Sequence, residues 1–347
     1  MKASFCNGFY GIGLLDYAYL AFNVYHGKDS EKQLGQLPRT VDSLPRLISN
    51  IQSHEGWFQL RFPEVRMLHD FGFYAEFYVK VYRGKIRHLM VSFRGTDNFY
   101  DGGEDVLTWW NTVLPGSEYY SQKIPHYWHY ALTFILKCKK VIKQLDSHDL
   151  LADYVGHHVT GHSLGGALAN LVSATAAICQ PVGIRAHLPV MPNVISFNAP
   201  GIGAMQGIHK DPFNEGMVIS MRAKYDLVSA LGEPYGYVIN NIVPEGYQDA
   251  ENAFDIEHQI DTFSFRQVLC DVNVACIGEQ RIDQALNAKA FLKQHGMAHF
   301  LKLIANQPSA LAFTFEQLRS WGMNHGGQNH NLNATPMFGQ VAMAKVA

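Results

Sequence analysis

Ser163 sits in Gly161-His162-Ser163-Leu164-Gly165, a Gly-x-Ser-x-Gly pattern. A serine hydroxyl becomes a useful nucleophile when a nearby base takes its proton and a third group orients that base. Five residues alone are a weak signal, and their setting strengthens it. The β-branched pair Val159-Thr160 precedes them, and the small-residue stretch Ala167-Leu168-Ala169-Asn170-Leu171-Val172 follows. This order predicts strand, sharp turn and helix, with the hydroxyl at the tip of an elbow and near a helix N-terminus. The flanking glycines permit the strained turn and a close approach of helix to strand. The competing reading is a glycine-rich turn with an idle serine.

An elbow serine takes its partners from further along the chain, first an acid and then a histidine. Asp226 follows the apolar run 217–222 directly and fits the acid. Asp211 comes before that run, in a loop with Pro212, and is less well placed. Five histidines come later: His258, His295, His299, His325 and His330. His258 follows the last expected strand and is the expected base, with His299 second. His295 and His299 lie in a helical stretch, which suits packing better than a mobile base. His325 and His330 fall in a polar tail. The tetrahedral oxyanion needs two donors. The backbone N–H of Leu164, next to the nucleophile, is one expected donor. Thr96, which closes the strand 86–93 through Gly95, is the other, with its N–H and its hydroxyl.

The elements that must position these groups are legible from periodicity. Residues 9–25 carry Leu14, Ala18, Ala21, Phe22 and Tyr25 at helical spacing. Residues 27–70, with Pro38, Pro45 and Pro63, read as loops and short helices. Residues 73–82 and 86–93 predict a hairpin closed at Arg83-Gly84-Lys85. Residues 98–125 form an aromatic, loop-like stretch, and 126–147 a helix. Strands are expected at 190–198, 217–222 and 237–243, and mostly helix from Arg266 onward. Strands alternating with helices predict a mainly parallel sheet covered on both faces. The expected division is an N-terminal segment 1–70 packed on the core, an α/β core at 71–265 and a C-terminal helical extension at 266–347.

Composition narrows the class. The 347 residues are 47% hydrophobic and 17% charged, as in an ordered globular protein with room for a large core. A formal net charge of −2 and no Lys/Arg cluster give no support to nucleic-acid binding. Five cysteines, an odd number without Cys-x-x-Cys spacing, read as thiols of a chain that folds under reducing conditions. No apolar run reaches the roughly 18 residues of a transmembrane helix. Asn7 and Asp16 interrupt the apolar N-terminal stretch, so no signal peptide is expected. Synthesis in the cytoplasm, with signal-independent export as an open alternative, is the expected localisation. No metal site is expected. His157 and His158 are neighbours on a strand and point to opposite faces. His295 and His299 lack the glutamate of a zincin motif.

Three motifs in order carry a family resemblance. Val91-Ser92-Phe93-Arg94-Gly95-Thr96, then Thr160-Gly161-His162-Ser163-Leu164-Gly165-Gly166-Ala167, then Ser196-Phe197-Asn198-Ala199-Pro200-Gly201 resemble the successive motifs of class 3 lipases. Asn198 departs from the glycine more usual at that place. The resemblance covers about residues 70–265 and implies an α/β-hydrolase fold, a serine ester hydrolase and acyl-lipid substrates at a membrane or lipid surface. It implies no cofactor. It matches the family's acid to Asp226, and its lid to residues 98–125. A hydrolase of small esters or thioesters, an acyltransferase, and an inactive lipid-binding member are the alternatives on the same fold.

Overall fold

The structure is a computed structural model. It describes residues 11–26, 38–65, 73–95, 126–175, 192–203, 208, 215–223, 226, 228–229, 234–242, 295–297, 301, 315 and 318–319. Its centre is an eight-stranded sheet whose strands lie side by side in chain order. They are β1 (Arg39–Val41), β2 (Gly56–Leu60), β3 (Ala75–Tyr82), β4 (Lys85–Phe93), β5 (Leu151–His162), β6 (Asn193–Phe197), β7 (Val218–Ala223) and β8 (Tyr237–Ile242). β1 pairs parallel with β2, β2–β3–β4 run antiparallel, and every pair from β4 to β8 is parallel.

The expected hairpin is present. Arg83 and Gly84 both take positive φ, as a tight two-residue connection requires. The expected strands in the second half are present within one to three residues at each end. The stretch 27–70 differs from expectation, because it holds β1 and β2. Both are short, and Gly56-Trp57-Phe58-Gln59-Leu60 does not alternate cleanly in polarity. Its polar members are buried by partners rather than exposed to water, so the period-2 signal is lost.

Strand order explains the layering. When each parallel strand is added on the same side of the last, right-handed crossovers put their helices on one face. That face carries α2 (Leu44–Ile51), α3 (His126–Ser147) and α4 (Leu164–Thr175) over Phe77, Val79, Val91, Val159, Val194 and Val218. The opposite face is covered from the two ends of the chain. α1 (Leu14–His26) lies across β4, β5 and β6, and Met297, Leu301, Phe315 and Leu318 join it in a second apolar cluster with Ile195, Phe197, Ile219 and Met221.

α1 is buried nearly all round, so its polar side chains must find partners in the sheet. Asp16 accepts from the Trp57 indole at 2.7 Å and pairs with Lys80 at 3.3 Å. Asn23 donates to the Tyr78 hydroxyl at 2.9 Å. Tyr78 and Gln59 both donate to the buried Glu76 carboxylate. Tyr17 Oη lies 2.6 Å from His158 Nδ1, whose Nε2 lies 3.1 Å from His88 Nδ1. No helix among the described residues is long and apolar enough to cross a membrane.

Burial, and then the charge of His88, holds the His158 imidazole well below its ordinary range. Burial lowers His157 to about 4. Below pH 6.5 the unfolded chain binds protons that the folded chain excludes at these sites, so stability falls as pH falls. His158 alone removes up to about 1.4 kcal/mol per pH unit in that window. The urea midpoint is therefore expected to drop between pH 7.5 and pH 5. A flat profile would refute the buried neutral state.

Candidate active site

The elbow forms where β5 runs into α4. Ser163 takes φ +58°, the left-handed region that a non-glycine residue occupies only under local constraint. Its N–H donates to the Phe197 carbonyl at 2.9 Å, and its own carbonyl accepts from Ala167 N–H at 3.1 Å to open the helix. The constraint is steric. A Cβ on Gly165 would stand 2.1 Å from the Phe93 carbonyl oxygen, so only glycine lets α4 start this close to the end of β4. Leu164 is the first residue of α4, and the first N–H groups of a helix have no partner within it. Its amide is therefore oriented as a donor beside Ser163.

The end of β4 closes one side of the serine. A Cβ on Gly95 would lie 3.0 Å from Ser163 Cβ and 2.7 Å from the His162 carbonyl. The Gly95 N–H is already committed, donating to Tyr25 Oη at 2.9 Å. Thr96, the expected second oxyanion donor, is the next residue and lies outside the described residues. The aromatic segment 98–125 and the histidines His258 and His299 also lie outside them.

Asp226 is buried one turn beyond β7 and is an organised acceptor. Its Oδ2 accepts from Ser229 N–H at 3.0 Å and its Oδ1 from Val228 N–H at 3.2 Å. An imidazole completes the set. It belongs to His295, whose Nδ1 lies 2.9 Å from Asp226 Oδ1. Burial raises the pKa of the Asp226 carboxyl, but the charge and hydrogen bond of His295 and the two hydrogen bonds from Ser229 together outweigh it, and the net direction is down. An ionised Asp226 accepts from Nδ1–H and leaves the basic lone pair on Nε2.

His295 stands beside the elbow. Its ring centroid is 4.6 Å from that of His162, the residue before Ser163. His162 Nε2 is 2.5 Å from the His295 carbonyl oxygen, and Asn198 Nδ2 donates to the same oxygen at 3.1 Å. Burial lowers the His162 imidazole to about 3, so it is neutral. The structure thus sets the Asp226–His295 pair against His162, the residue before Ser163, with His295 Nε2 buried. The sequence reading set His295 aside because it lies in a helical stretch. Gly296, directly after it, is non-helical and was the local sign of a break. His295 is itself helical in the structure, as its setting predicted, and still reaches Asp226.

The class 3 lipase family model matches residues 90–231, which contain β4, the elbow, β6, β7 and Asp226. That stretch is similar to the class 3 lipases. The parallel sheet with its elbow and two covering layers is the α/β-hydrolase fold that this family implies. No curated protein matches the sequence. Solved structures similar to this chain include a lipase from Rhizopus microsporus var. chinensis, 17% identical, TM-score 0.37, covering 65% of this chain and 72% of that one. M37 lipase is 15% identical, TM-score 0.44, covering 90% and 97%. Extracellular LipA from Serratia marcescens is 19% identical, TM-score 0.43, covering 86% and 51%. The match over residues 90–231 supports a carboxylic-ester hydrolase.

Gly165→Ala is expected to push α4 away from β4. Overpacking of this kind costs roughly 1–3 kcal/mol, and the serine moves with the helix. Thermal unfolding and ester hydrolysis should both fall. A variant with unchanged melting and activity would show that the contact at Phe93 can yield.

Proposed function

We propose that the chain is a serine hydrolase of acyl-lipid esters that works through an acyl-enzyme, with Ser163, His295 and Asp226 as nucleophile, base and orienting acid. The observation that carries this reading is the 2.9 Å contact of His295 Nδ1 with the buried Asp226 carboxylate beside the elbow. Ser163 Oγ attacks the ester carbonyl carbon and its proton passes to His295 Nε2. The carbonyl oxygen becomes an oxyanion, which Leu164 N–H and Thr96 receive, each donor worth roughly 3 kcal/mol in comparable sites. The intermediate collapses, the C–O bond to the alcohol breaks, and His295 returns the proton to the leaving alkoxide. Water then gives its proton to His295 and attacks the acyl-serine. The second collapse releases a carboxylic acid and restores Ser163. Asp226 remains ionised and stabilises the imidazolium in both halves.

His295 replaces His258 as the proposed base, because Asp226 already holds its imidazole. Thr96 keeps its proposed role because Gly95, the residue before it, stands against Ser163 while its own N–H is taken by Tyr25. Acyl lipids presented at a lipid surface are the proposed substrates, on the strength of the lipase segment. Neutral glycerides and phospholipids share the ester that this chemistry cleaves.

A fluorophosphonate probe should label wild type and fail to label Ser163→Ala. Hydrolysis of a soluble short-chain ester by His295→Ala should fall by about 10⁴-fold in kcat, the scale seen when triad members are removed. His258→Ala should stay within about threefold of wild type, as a residue outside the reacting set does. An active His295→Ala beside an inactive His258→Ala would reverse the assignment of the base. A wild type that neither labels nor hydrolyses would end the enzyme reading. Comparing triglyceride emulsions with phospholipid vesicles then separates the two lipid classes.

A further inference from the structure

Neither lone pair of the His295 carbonyl is left to solvent. His162 Nε2 and Asn198 Nδ2 both lie within hydrogen-bond distance of that oxygen. Each of these side chains is anchored in turn. Asn198 Oδ1 accepts from Ala223 N–H at 2.8 Å, at the end of the strand that leads to Asp226. His162 Nδ1 lies 3.0 Å from Tyr25 Oη, at the end of α1.

The His295 carbonyl sets the donors and acceptors around it. A carbonyl only accepts, so His162 carries its proton on Nε2. A neutral imidazole then presents Nδ1 as an acceptor to Tyr25 Oη–H at 3.0 Å, and the His162 carbonyl, 3.3 Å from the same hydroxyl, is its longer second acceptor. The Tyr25 oxygen accepts from Gly95 N–H, at the end of β4. The bonds therefore run from Gly95 through Tyr25 and His162 to the His295 carbonyl. A second path runs from that carbonyl through Asn198 to Ala223. Asn198 is fully buried and takes φ +47°, which asparagine tolerates better than most residues. The asparagine that stands where the related motif more usually has glycine thus keeps glycine's backbone conformation and adds an amide that bridges two segments of the site.

We propose that Asn198 and the Tyr25–His162 pair form a clamp on the His295 backbone carbonyl that fixes the base against Asp226 and ties it to the strand end carrying the oxyanion donor. They are positioning residues, and this role rests on His295 being the base proposed above. The imidazole is short and stiff, so its ring nitrogens follow its backbone. Displacing a reacting group by about 1 Å can cost about 10²-fold in rate.

Asn198→Gly removes both amide bonds while suiting the positive φ. Tyr25→Phe removes a single hydroxyl. Each is expected to lower kcat on a soluble short-chain ester by roughly 10- to 100-fold with KM within about twofold. His162→Gln, which can still offer an N–H near the Nε2 position, should retain more kcat than His162→Phe. The double variant Tyr25→Phe/His162→Phe should lose no more than the worse single one, because both act along one path. A readout independent of turnover is the downfield proton resonance of His295 Nδ1–H bonded to Asp226. It should persist in Ser163→Ala and broaden or move in Asn198→Gly and Tyr25→Phe. The clamp is overturned if Asn198→Gly and Tyr25→Phe, both with wild-type melting, keep the resonance and kcat. Additive losses in the double variant would also overturn the path through Tyr25. If Asn198→Gly does not fold, Tyr25→Phe carries the same comparison. An inactive wild type whose resonance still responds to the variants would sink the hydrolase reading and leave the clamp standing.

Discussion

A sheet whose parallel strands are added in one direction, with right-handed crossovers, has one face covered by its own connections and the other bare. In this chain the bare face spans β2 to β8. It must be covered by segments that come before the first strand and after the last. α1 does so from the N-terminal side, and the segments holding Met297, Leu301, Phe315 and Leu318 do so from the C-terminal side. The site depends on that demand. Ser163, the proposed nucleophile, comes from a crossover, and His295 comes from the covering layer. The connections at the ends of β5 and β7 contribute Ser163, Leu164 and Asp226, and the imidazole against Asp226 arrives with the C-terminal segment.

The same demand shapes the interior beneath α1. A helix wrapped on all sides would be expected to be apolar throughout. This one instead buries Asp16 and Asn23, with Tyr17 and Tyr25 directing hydroxyls into the sheet. Buried ionic and polar groups of this kind add little net stability, but leaving any one of them unpaired is costly. They act on register. Asp16 meets Trp57 and Lys80, Asn23 meets Tyr78, and Tyr25 meets Gly95 and His162 only when α1 lies at one translation along the sheet. Sliding the helix by one turn would strand every pair. The helix is thereby indexed to the elbow, and its last turn reaches the residue before the nucleophile.

Much of the core was legible in the sequence because its signals are local. The hairpin at Arg83-Gly84, the long helix α3 and the elbow each follow from periodicity or from residues with special backbone freedom. Asp226 was legible because the acid leaves a strand end directly. β1 and β2 were not, since β1 is only three residues long and the polar Gln59 of β2 is buried against a partner, which breaks the alternation that marks a half-exposed strand. His295 was not, because the five downstream histidines differ mainly in what they pack against. Asn198 stood out as a departure from a motif, but its role needed the positions of Ala223 and His295, 25 and 97 residues away along the chain.

The sequence by itself determined the strand–turn–helix that presents Ser163, and the place of Asp226 directly after a strand, the two residues proposed as nucleophile and acid. Those features are set by neighbours in the chain: glycines where a Cβ would clash, a β-branched run before the serine, a small-residue helix after it. Tertiary structure decided which imidazole meets Asp226, and that α1 is hydrogen-bonded to the elbow through Tyr25. Both are contacts between segments far apart in sequence, chosen by how the uncovered face of the sheet is filled. No local pattern encodes that choice, because the free energy that selects it belongs to the packed layer as a whole.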